Sequence, residues 1–285
     1  MSAASDDLKR PCEPITFTGV AGFAAAPLSR LVVVELIVAS AAAICVMWFA
    51  ASAWMPVITM AVSRLPDESL IRGGKLEWPP GAPGALAESP FLSLHAAPQS
   101  GGEAGQEADL RLEFRATALR LQSILGYVDL RYPQGWTILL NRAKLEPWWG
   151  AWRPMIVAGM GLATCLGLFV NWAILALLCA FAVRLMAFYS NRQVTRFGCW
   201  KLASAALMPG AVLLSGAIIL YGLHRLSLVG FLFAFALHLI VGWVYVVGAP
   251  LRLPRVSSVE PPRANPFAGA SGVENPFKED ERPPD

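Results

Sequence analysis

Leu31–Trp54, read as LVVVELIVASAAAICVMWFAASAW, holds a single ionisable carboxylate, Glu35, in an otherwise apolar run. A helix needs about 20 apolar residues to cross a hydrocarbon core of about 30 Å, so this stretch is long enough to span. Three more stretches qualify, at 154–183, 202–223 and 226–249, and all three follow a mixed segment at 55–153. The spacing predicts an α-helical integral membrane protein. It has four transmembrane helices and a small β-rich (α+β) extracytoplasmic domain inserted between helices 1 and 2. The flanks are a tail at 1–30 with an interfacial segment, a basic loop at 184–201 and a disordered tail at 250–285.

Composition agrees with that class. Hydrophobic residues make up 55% of the chain and charged residues 15%, with a mean hydropathy of +0.51, more apolar than a soluble domain. A net charge of +3 is too small to imply a nucleic-acid partner. Of the five cysteines, Cys45, Cys165 and Cys179 fall in apolar runs, and none lies in 55–153. No disulfide, metal site or cofactor is expected.

Basic residues set the orientation. Arg184, Arg192, Arg196 and Lys201 crowd the 184–201 connection without an acidic residue, whereas the turn between the last two spans has only Arg225. Both termini are expected in the cytoplasm of a cell with an inner membrane, and residues 55–153 outside. Trp54, Trp148, Trp149 and Trp152 flank the outer ends of spans one and two as interface anchors, since indole favours the headgroup level. Ala51-Ser52-Ala53 resembles a cleavage site, but the long leader and long apolar run favour an uncleaved anchor.

Within 55–153, Leu110, Leu112 and Phe114 alternate with charged residues, as do Val128, Leu130 and Tyr132. Period two marks half-buried strands. Trp136–Leu140, Lys75–Trp78 and Phe91–His95 are further strand candidates, and Thr117–Leu125 is a short helix or another strand. Segments 79–90 and 97–108, rich in Pro, Gly, Ala and Glu, read as exposed loops. Ile15–Phe23 is too short to cross and reads as an interfacial helix or re-entrant stub.

Few polar groups lie inside the spans. Glu35 matches Arg184 in depth, so an ion pair is expected, with snorkelling or ion handling as the other readings. His238 sits midway along span four, to relay protons or to hydrogen-bond a neighbouring helix. Gly159, Ala163 and Gly167 recur every four residues and lead to Asn171, a packing face within the bundle or in a homo-oligomer. Pro209 should kink span three. In the tail, Asn265-Pro266-Phe267 recurs as Asn275-Pro276-Phe277, two identical exposed anchors for a cytoplasmic protein or a solvated leftover.

Three short stretches carry a family resemblance: Phe23 to Pro27, Leu65-Pro66 with Gly73-Gly74-Lys75-Leu76, and Arg192-Gln193-Val194 ahead of Pro209. On these and on its overall order the chain resembles uncharacterised bacterial multi-pass membrane proteins of the maltodextrin-utilisation accessory type, and more distantly Yip-type membrane proteins. The resemblance implies the same multi-span architecture and little about function. The reading that follows is a non-enzymatic accessory, scaffold or sensor in a lipid membrane. The rival is a subunit of a small transport or ion-handling assembly built on Glu35, Arg184 and His238.

Overall fold

The computed structural model describes residues 13–96 and 108–255. A short helix α1 (Phe17–Gly22) precedes α2 (Leu28–Phe49), which continues through a π turn (Ala50–Trp54) into α3 (Met55–Ser63). Eight strands follow, then α4 (Arg142–Tyr189), α5 (Arg196–Gly222), α6 (Leu228–Gly248) and a 3-10 turn at Ala249–Arg252. Four stretches are long and apolar enough to cross a membrane: Leu28–Ser63, Arg142–Tyr189, Arg196–Gly222 and Leu228–Arg252.

The first two outrun the apolar segments read from the sequence. Pro56 cannot donate to the carbonyl four residues back, and the chain absorbs this with the π turn, where Met55 N–H reaches back to Ala50 O. The inserted residue keeps one stripe inward: Leu31, Glu35, Val38, Ala39 and Ala42 in α2, then Val57 and Ala61 in α3. At the other entry, Asn141 caps α4 by accepting from Lys144 N–H at 3.0 Å. That cap starts the helix before Pro147 and Pro154, so both prolines lie within it. Pro209 likewise sits inside a continuous α5.

The strands form two sheets. The smaller has the order β2-β1-β8 and the larger β3-β4-β5-β6-β7. Strand β1 (Leu70–Arg72), which the alternation did not reveal, pairs with β2 (Lys75–Glu77) around Gly73-Gly74. Both glycines have positive φ, 57° and 76°, as a two-residue hairpin requires. Strand β8 (Thr137–Leu139) closes this sheet on the far side of β1.

In the larger sheet β4 (Leu92–Ala96) and β5 (Leu110–Phe114) run parallel, and the remaining pairs are antiparallel. The stretch 117–125 resolves into β6 (Ala118–Ser123), hairpinned to β7 (Gly126–Arg131). The expected loop at 79–90 is corrected: it contains β3 (Ala85–Glu88), whose Leu86 and Ala87 are buried. Alanine and glutamate are poor strand formers, and only packing on Val57, Ala61 and Leu92 makes this segment extended.

Helix α1 packs against the bundle, with Val20 and the Phe23 that follows it fully buried. Thr16 caps it, accepting from Gly19 N–H at 3.0 Å.

Candidate functional site

At the end of the bundle remote from the strands, two stretches far apart in sequence meet. Lys201 Nζ donates to Ala26 O, and Gly198 lies against Ala24 O, where a Cβ would come within 3.0 Å. Arg192 Nη1 donates to Leu253 O at 2.5 Å, and Gln193 N–H donates to Pro254 O at 3.1 Å. Together Ala21, Gly22, Ala24 and Ala25, with Arg192–Thr195 and Leu253-Pro254, line a cavity of about 510 Å³. Phe23–Pro27 and Arg192-Gln193-Val194, the stretches that carry the family resemblance, are thus neighbours in space.

One turn further along, Glu35 is 6% exposed and accepts from Ser204 Oγ on α5. The expected ion pair with Arg184 does not form. Arg184 directly follows the inward-facing Val183, so it points out of the bundle and is exposed. The sequence reading took Lys201 only as an orienting charge and did not single out Ser204. Their i, i+3 spacing on one helix face was the available signal.

The small-residue face does not pack within the bundle, which leaves its homo-oligomer reading. Gly159, Ala163 and Gly167 are exposed, with nothing within 4 Å of a Cβ placed on either glycine. The face of α4 that packs carries Gly161, Trp172, Ala176, Cys179, Val183 and Ala187. The two stripes start two residues apart, a rotation of about 200° on a helix, so choosing the wrong one reverses the face. Any role for Gly159, Ala163 and Gly167 as a packing face is therefore outside this bundle.

Asn171 and His238, read separately from the sequence, come to line the same groove. Both line a groove of about 360 Å³ between α4 and α6, floored by Ala42 and Val46 of α2 and by Leu207, Ala211 and Leu214 of α5. Thr164, Ser215, Cys179 and the indoles of Trp172 and Trp243 complete its polar inventory. It exists because α6 crosses close to α5 at Gly210, where a Cβ would lie 2.6 Å from His238 O, whereas α4 and α6 meet only sparsely.

In the strand domain, the apolar face of β3, β4 and β5 packs on α3, whereas β7 is exposed along its length and its expected half-burial is corrected; the other face is a polar ladder. The register places Ser93, Arg111, Gln122 and Tyr127 in one row, and His95, Glu113, Arg120 and Asp129 in the next. Arg120 and Asp129 pair at 2.7 Å. Ser93, His95 and Glu113 are buried, and Ser93 Oγ, His95 Nε2 and Arg111 Nε lack a hydrogen-bond partner among the described residues. His95 Nε2 lies 3.3 Å from Glu88 Oε1 without hydrogen-bond alignment.

Burial, reinforced by Arg111, holds the His95 pKa below its ordinary 6.5, while Glu88 and Glu113 pull it back. The folded ring binds a proton less readily than the unfolded one. Its contribution is therefore fully present above the ordinary pKa and declines as pH falls through it towards the lowered value. We expect the Tm of the full chain to drop on acidification from about pH 7.5 to about pH 5.5, and His95→Gln to flatten the drop. Identical pH profiles for the two proteins would refute this role.

The tryptophans divide. Trp148 and Trp152 are each 50% exposed and stack on one another. Trp149 is corrected from surface anchor to interior residue: it is 8% exposed, and its Nε1–H donates to Thr59 Oγ1 of α3 at 2.9 Å. Trp54 is half-buried, edge-on to Phe49. The paired motifs Asn265-Pro266-Phe267 and Asn275-Pro276-Phe277 lie outside the described residues. Comparison with protein-family models, with curated proteins and with solved structures finds no match.

Proposed function

We propose that this chain is a four-span inner-membrane protein whose strand domain is extracytoplasmic and whose termini are cytoplasmic. It acts as a non-enzymatic accessory, scaffold or sensor that couples an outer ligand or partner to a cytoplasmic one. The orientation rests on the basic residues of the 184–201 connection.

One observation carries the functional reading. The first long helix passes without a break into α3, which contributes Val57 and Ala61 to the core of the strand domain. The next, α4, braces α3 through Trp149 and Thr59. A change in the domain is therefore transmitted along two long helices rather than lost in a flexible linker. The transport alternative has less support: Arg184 faces outward, Glu35 is buried against Ser204, and of the three only His238 lines the groove.

The test is affinity purification from native membranes, comparing wild type, Phe267→Ala/Phe277→Ala and Glu35→Gln. The expected result is a partner lost from the tail variant and kept by Glu35→Gln. Partners unaffected by the tail variant, together with an ion flux abolished by Glu35→Gln, would replace this reading with the transport one.

A further inference from the structure

We propose that the groove between α4 and α6 binds a neutral long-chain lipid carrying a free hydroxyl, with Asn171 and His238 as its polar anchors. The inference rests on the membrane reading above and adds a ligand class to it.

The groove's size and lining suit a chain molecule, since its walls are mainly leucine, alanine, valine and tryptophan. Among the described residues, no Asp, Glu, Lys or Arg lines it. A phosphate headgroup would find no countercharge there, which selects an uncharged ligand.

The polar groups define the ligand's hydrogen bonding. Thr164 Oγ1 already donates to Met160 O at 2.8 Å, and Ser215 Oγ donates to Ala211 O at 2.8 Å. His238 Nδ1 faces Phe235 O. A carbonyl can only accept, so in the neutral ring Nδ1 carries the proton and Nε2 presents a lone pair. The Asn171 carboxamide has no hydrogen-bond partner among the described residues, leaving a second acceptor and two donors. With the indole N–H groups of Trp172 and Trp243 added, the groove offers donors as well as these two acceptors, so it calls for a group that both donates and accepts. On a lipid chain without charge, a hydroxyl is that group, and its oxygen can accept in return from Asn171.

The test uses the full chain in phosphatidylcholine nanodiscs with a diazirine-bearing octadecanol as the photoprobe. Saturable labelling should map to α4 and α6. Unlabelled octadecanol should compete, while its methyl ether, which cannot donate, should compete about tenfold less well. Asn171→Leu and His238→Leu should reduce saturable labelling to a similar degree, and the ether comparison on wild type does not depend on either variant folding.

Equal competition by alcohol and ether, or labelling that never saturates and spreads over every helix, overturns the proposal and leaves the membrane reading standing. Failure of the wild-type chain to enter nanodiscs overturns both.

Discussion

Gly210→Ala should cost the protein about 3 kcal/mol of stability, at the upper end of overpacking penalties. The added methyl would sit 2.6 Å from His238 O. That obstacle is backbone in the middle of α6, not the end of a flexible side chain, so only the whole helix can yield. If α6 retreats from α5, the groove that Asn171 and His238 line loses one wall.

Gly167→Ala is the matched control, because a methyl there meets nothing within 4 Å. It should be neutral or gain up to about 1 kcal/mol from the lower backbone entropy of alanine. Thermal unfolding followed by fluorescence in nanodiscs separates the two. A Gly210→Ala protein with the wild-type Tm would show that the helices do not cross there. A Gly167→Ala protein that is stable but fails to self-associate would instead place the outward stripe of α4 at a homo-oligomer contact.

Trp149→Ala should destabilise the junction between strand domain and helices by about 3–5 kcal/mol, the usual cost of deleting a buried aromatic ring. Trp149→Phe keeps most of the buried area and loses only the bond to Thr59, so about 1 kcal/mol is expected. Thr59 is not orphaned by that change, since its hydroxyl donates to Met55 O at 2.7 Å. Trp152→Ala, at a half-exposed position, should leave the unfolding temperature nearly unchanged.

Hydrogen exchange supplies the spatial readout. In Trp149→Ala, protection should fall in α3 and in the strands on which it packs, while the remote ends of α2 and α5, around Glu35 and Ser204, keep theirs. Equal effects of Trp149→Ala and Trp152→Ala would mean that the brace between α3 and α4 carries no weight, and with it the proposed coupling of domain to membrane.

Much of this architecture was legible before any coordinates. Four long apolar helices with a strand-rich insertion after the first follow from run length and from alternation, both local properties of the chain. Alternation located β5, β7 and β8 because each has one apolar and one polar face. It missed β3, whose Ala85 and Ala87 carry little hydrophobic contrast, and β1, whose adjacent Leu70 and Ile71 do not alternate.

The sites were much less legible, and for one physical reason. A helix that is apolar on every side has no preferred face in its sequence, so neither local propensity nor periodicity says which stripe turns inward. That is decided by the shapes of neighbouring helices. Gly161 rather than Gly159 meets Met47, and Gly210 meets the α6 backbone. The same contest put Trp149 inside and left Trp148 and Trp152 out, and it gave Glu35 a serine in place of an arginine.

The sequence alone determined how many long apolar helices there are, in what order, and where the strand domain is inserted, because each depends on composition over a short window. The tertiary structure alone decided which polar side chains share a site, because Asn171 and His238 are brought to line one groove only by the way α4, α5 and α6 cross.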